Sequence, residues 1–93
     1  MLGIRPNCQH CNRALPNGSD QAMICSFECT YCKVCVDKVL ENVCPSCSGG
    51  FEKRPTRPKA WLSKYPVSKV VVFEPIKENK YLEAFKLIDP RQR

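Results

Sequence analysis

Apolar residues fall at Val36, Val39, Leu40 and Val43, the i, i+3, i+4, i+7 spacing of one helix face. The spacing predicts a short helix that starts at the Cys32/Cys35 pair and ends near Asn42. Ahead of it, Ile24-Cys25-Ser26-Phe27-Glu28-Cys29 reads as a short strand, with Phe27 expected in the core. Pro16-Asn17-Gly18-Ser19-Asp20 marks a turn. Further along, Lys69-Val70-Val71-Val72-Phe73-Glu74 is a β-branched run expected as a strand, ended by Pro75. Asn79 stands where it would cap a last helix, with Tyr81, Leu82, Phe85 and Ile88 on one face and Pro90 as its stop. Between these segments Pro55, Pro58 and Pro66 are expected to keep the chain extended.

The cysteines change this picture. All eight lie between Cys8 and Cys47, and residues 51–93 have none. A unit of that size cannot bury enough apolar surface to fold on its core alone, and needs disulfides, a metal or a partner. The start of the chain, Met-Leu-Gly-Ile-Arg-Pro-Asn, has no apolar run with a small-residue cleavage site, and no stretch is long enough for a membrane span. The expectation is therefore a cytoplasmic chain with reduced thiols, in which paired cysteines point to zinc rather than disulfides.

The cysteines run Cys8-x2-Cys11, Cys25-x3-Cys29, Cys32-x2-Cys35 and Cys44-x2-Cys47. A Cys-x2-Cys turn offers two sulfurs to one metal, and four sulfurs at about 2.3 Å complete a tetrahedron. Four pairs with none left over predict two Zn²⁺ ions. Only eight residues separate Cys35 from Cys44, short for the hairpin that a linear, LIM-like pairing needs. The interleaved alternative suits that spacing better: Cys8, Cys11, Cys32 and Cys35 on one zinc, and Cys25, Cys29, Cys44 and Cys47 on the other. In Cys44-Pro45-Ser46-Cys47-Ser48-Gly49-Gly50 the glycines are expected to let the backbone turn toward the sulfurs.

This spacing, order and loop length resemble a RING finger, with Cys29 where most RING fingers place histidine. More closely, the chain resembles a small bacterial cysteine-rich family of unknown function. The residues that carry the likeness are Arg5-Pro6-Asn7-Cys8, Ile24 to Cys35, Cys44 to Gly49, and Arg54-Pro55-Thr56-Arg57-Pro58. The resemblance implies a bacterial origin and a small zinc-stabilised α+β fold, a RING-like cross-brace of treble-clef type with a C-terminal extension; it implies no activity. The chain divides on this reading into a two-zinc domain at 1–50, a basic Pro-rich linker at 51–68 and a strand–helix extension at 69–93.

Charge sharpens the division. The formal charge is +6, but eight thiolates and two Zn²⁺ shift it by −4, to +2. Residues 51–93 hold eleven Lys and Arg against five Asp and Glu, so the excess of positive charge sits there. Lys53, Arg54, Arg57, Lys59, Lys64 and Lys69 interleave with Trp61 and Tyr65 and with no acid. Such a pattern fits single-stranded nucleic acid, cations to phosphate and rings to bases. It equally fits aromatic docking onto a small zinc core, with the cations beside the thiolates.

No enzyme is expected. Four-sulfur sites leave no position open for water, and the one histidine, His10, reads as an exposed loop residue rather than a ligand or proton carrier. Ubiquitin-ligase activity is disfavoured by Gln9 after the first cysteine, where RING ligases usually carry an apolar residue, and by Ser48 after the last. Zinc thiolates are also open to oxidation, so redox sensing stays among the alternatives. The leading expectation is an adaptor module that binds another protein, with nucleic-acid binding through residues 53–69 as runner-up.

Overall fold

A computed structural model describes residues 2–93. Three short strands form its sheet: β1 (Ala22–Ile24), β2 (Thr30–Cys32) and β3 (Glu52–Lys53), in the order β2-β1-β3 with both pairings antiparallel. Met23 stands opposite Tyr31 on one side and Lys53 on the other. β1 thus begins before the strand read from the sequence. The stretch from Cys25 to Cys29 is instead the tight turn between β1 and β2, with Glu28 at φ 91°. That turn carries Phe27 outward, so Phe27 is 72% exposed rather than a core residue.

β2 runs directly into α1 (Lys33–Lys38). The helix is shorter than its apolar spacing suggests. Glu41 and Asn42 both take positive φ and end it, while hydrogen bonds from Leu40 to Cys35 and from Asn42 to Val36 keep the next turn wound. The stripe therefore still reaches inward through Val36, Leu40 and Val43, all buried, and Val39 lies at its edge. Val36 and Leu40 meet Leu15, Ala22, Tyr31, Phe51 and five of the cysteines in one core. Tyr31 and Phe51 pack edge to face at 5.5 Å between ring centroids, a favoured aromatic geometry.

Phe51 and β3 belong to the segment read as a linker, so the packed unit runs past residue 50. Arg54 extends it further. It is only 3% exposed, and its guanidinium donates to the carbonyls of Arg5 (2.8 Å), Leu15 (3.0 Å) and Pro16 (2.9 Å). Pro58 then precedes a one-turn helix, α2 (Lys59–Leu62). Proline restricts its own φ and the residue before it, which leaves the following residues free to coil.

Residues 69–74 do not form a strand. They lie extended across the first cysteine turn, and Val70, Val71 and Phe73 face solvent. Asn79 does not cap the short helix α3 (Leu82–Phe85), whose N-cap position is Tyr81; its Oδ1 instead accepts the Tyr81 N–H in the turn just ahead of the helix. Pro90 opens a 3-10 turn at Pro90–Gln92 instead of ending the chain's helical structure. The tail is fastened to the core by side chains. Asn79 donates to Val43 O at 2.9 Å, and Arg93 donates to Asn42 O and Ser48 O at 2.8 and 2.9 Å. Gly50 is required there for space, since a β-carbon would lie 2.7 Å from Pro90 Cγ.

Candidate metal centre

Cys8 and Cys44 each open the same turn. Cys8 N–H donates to Arg13 O at 2.8 Å, and Asn12 N–H returns to Cys8 O at 2.9 Å. Cys44 N–H donates to Gly49 O, and Ser48 N–H returns to Cys44 O, both at 2.8 Å. The residue after the second cysteine is left-handed in each, Asn12 at φ 64° and Ser48 at φ 65°. Among the described residues no glycine has positive φ, so Ser48 makes the turn expected of Gly49 and Gly50. Asparagine accepts that conformation readily; serine does so at a cost.

These turns bring distant pairs together. The thiols of Cys8, Cys11, Cys32 and Cys35 all lie within 4.8 Å of one another, as do those of Cys25, Cys44 and Cys47. The first pair thus meets the third, and the fourth meets Cys25. Cys29 does not join the three-thiol group at that spacing, but Cys25 and Cys44 are the neighbours that most lower its pKa. No cysteine is paired in a disulfide. Cys11 Sγ and Cys32 Sγ stand 3.8 Å apart, close to the edge of about 3.8 Å that a tetrahedron of sulfurs at 2.3 Å from a metal requires. The donor set fits a thiophilic metal at both places.

Electrostatics within the groups point the same way. Hydrogen bonds from the Cys25 and Cys44 thiols hold Cys29 down to about 2, far below its usual 9.0. Hydrogen bonding to Cys25 and Cys29 pushes Cys44 up, and burial pushes up Cys35. Thiols this close cannot all ionise against each other, and a bound cation removes that conflict. The backbone assists: Phe27 N–H donates to Cys25 Sγ at 3.2 Å.

Residues 1–57 match a family described as a protein of unknown function, DUF1272. The chain belongs to that family. It is also 49% identical over 75 residues to an uncharacterised protein of Rhizobium meliloti (strain 1021), which covers 81% of this chain and 89% of that relative. No solved structure matches the chain. The DUF1272 span holds both thiol groups, all three strands and the two arginines Arg54 and Arg57.

Outside the thiols, the DUF1272 chain rearranges the expected basic segment. Arg54 is buried, and desolvation lowers its pKa. Arg57 donates to the carbonyls of Tyr65 and Leu2, and its own N–H goes to Asn17. Both are structural clamps, which leaves Lys53, Lys59, Lys64 and Lys69 exposed. His10 is no free loop residue either, since its Nδ1 accepts the Ile76 N–H at 2.8 Å. Gln9 is buried: its N–H donates to Thr30 O, and its Oε1 accepts the Thr30 N–H at 2.8 Å. Sequence reasoning missed these polar anchors because single polar residues carry no periodicity. Among the described residues no helix is long and apolar enough to cross a membrane.

Proposed function

We propose that this DUF1272 protein is a structural zinc module with a RING-like cross-brace, and that it acts as an adaptor binding another protein. The observation that carries the zinc reading is the crossed grouping of thiols, Cys8 and Cys11 with Cys32 and Cys35, and Cys44 and Cys47 with Cys25. Cys29 completes the second site as its fourth ligand. Zinc has no preferred geometry of its own, accepts four thiolates and closes its shell with them, so the sites hold the fold and perform no chemistry.

The adaptor reading rests on what the core leaves outside. Phe27, Trp61, Val70, Val71 and Phe73 are large apolar residues exposed on a small chain. The nucleic-acid reading is weakened by the loss of Arg54 and Arg57 to internal carbonyls. Ligase activity is disfavoured by the burial of Gln9 against Thr30.

Photo-crosslinking residues placed at Phe27 and Trp61 in living cells test the proposal. The expected result is a discrete protein adduct that disappears in the Cys44→Ser/Cys47→Ser variant. Adducts to nucleic acid alone, or none at either position, would contradict it.

A further inference from the structure

Leu2 and Ile4 meet the Pro55–Pro58 segment to form a groove of about 370 Å³. Leu2, Ile4, Pro55 and Pro58 give it aliphatic walls, and Trp61 of α2 and Tyr65 just after it close one side. That volume lies at the lower end of the range of about 300–1,000 Å³ found for ligand pockets. The two rings lie 6.2 Å apart and tilted by 32°. Trp61 stays 54% exposed although it is the largest apolar side chain in the molecule, and exposed tryptophan beside a preformed apolar groove is the composition of a binding hot spot.

Charge selects the occupant. No Asp or Glu occurs between Lys53 and Phe73, and none lines the groove. Arg57 forms part of the lining, and Lys59 and Lys64 stand exposed on α2 and just after it. The ion pairs among the described residues are Lys33 with Asp37 and Lys86 with Glu83, so these three cations have no carboxylate partner. Arg57 meets only the carbonyls of Tyr65 and Leu2 through its guanidinium. An apolar groove with an unneutralised basic rim complements an apolar chain that carries carboxylates.

We propose that this groove binds an extended acidic peptide, in which Leu or Phe side chains enter between Trp61 and Ile4 while flanking Glu or Asp side chains reach Lys59 and Lys64. The inference rests on the adaptor reading and names its partner by chemistry. Single-stranded nucleic acid fits less well. It needs open ring faces for its bases, whereas Trp61 and Tyr65 lie against each other and Lys64 Nζ sits over the Tyr65 ring at 5.4 Å.

Trp61 is the only tryptophan, so its emission reports the groove directly. The metal-loaded full chain is titrated with three probes: a short labelled peptide alternating Glu with Leu and Phe, the same peptide with Lys for Glu, and oligothymidylate. The acidic peptide is expected to saturate with a shift in Trp61 emission. By peptide anisotropy, Trp61→Ala should weaken binding about thirtyfold, the loss of a hot-spot side chain. Lys59→Ala/Lys64→Ala should weaken it less and flatten its salt dependence. Trp61→Phe should retain most of the affinity, since it keeps an aromatic wall.

Equal binding of the Lys peptide would overturn the charge argument. Binding of oligothymidylate in place of the peptide would assign the groove to nucleic acid. No binding of any probe, with metal content intact, would overturn the groove as a docking site; a protein crosslink at Phe27 would then still support the adaptor reading.

Discussion

The backbone N–H of Ile76 donates to Nδ1 of His10 at 2.8 Å, which ties the tail to the turn between two metal-ligand candidates, Cys8 and Cys11. Two neighbours repeat the contact: Glu74 N–H donates to Gln9 O, and Asn7 Nδ2 to Val72 O. Removing the metal should therefore release residues 72–76 along with the first cysteine turn. His10→Ala should do a smaller version of this, speeding hydrogen exchange at Ile76 about fivefold for the loss of about 1 kcal/mol, with metal content unchanged. Unaltered exchange in the chelated protein would mean the tail is held by something else.

Arg54 should be among the least replaceable side chains outside the thiols. Its guanidinium spans three carbonyls on two separate segments, and a lysine ammonium cannot span them in that planar geometry. Arg54→Lys should cost about 2 kcal/mol, and Arg54→Ala more, because buried carbonyls lose charged donors. Urea midpoints on the metal-loaded protein measure this. A change of less than about 0.5 kcal/mol for Arg54→Ala, the scale of an ordinary surface substitution, would return Arg54 to the exposed basic segment.

Ser48 carries left-handed strain that its turn demands. Ser48→Gly should stabilise the protein by up to about 1 kcal/mol, and Ser48→Val should destabilise it by more. Asn12, in the same place of the other turn, should tolerate glycine with little change. Thermal melts of the four proteins at fixed metal would show it; a destabilising Ser48→Gly would mean that the serine side chain matters more than its φ.

Acid should strip the metal. Cys44 and Cys35 are raised above 9.0, by thiol hydrogen bonds and by burial respectively, so both hold protons at neutral pH without metal. A metal must displace those protons, and its hold weakens as pH falls, by about tenfold per pH unit for each proton displaced. Cys29, held down to about 2, adds no such dependence above that value. Competition with a fixed chelator at several pH values tests the sign. Retention that improves toward acid would contradict it.

How much of this was legible in the sequence follows from what each feature depends on. The crossed grouping of seven of the eight thiols could be read because Cys-x2-Cys spacing and the short Cys35–Cys44 separation are local facts. The stripe of Val36, Leu40 and Val43 was legible for the same reason. Phe27 was misplaced because a turn between Cys25 and Cys29 overrides its preference for burial. Arg54 was misread because burial of an arginine depends on three carbonyls supplied from residues 5, 15 and 16. The strand read at 69–74 fails because β-branched residues favour a sheet only where an edge is offered, and this stretch instead hangs on Asn7 and Gln9. For Arg54 and for residues 69–74, a long-range polar contact decided what local propensity could not.

The central claim is that the eight cysteines hold two zinc ions in crossed pairs. Native mass spectrometry of the parent and of Cys44→Ser/Cys47→Ser, purified without chelator and followed by mapping of alkylated thiols, tests it most directly. The account predicts two zincs in the parent and one in the variant, with Cys25 and Cys29 newly reactive and Cys8, Cys11, Cys32 and Cys35 still protected. Protection of Cys25 and Cys29 with Cys32 and Cys35 exposed would show linear sites and contradict it, as would a metal-free parent with oxidised cysteines.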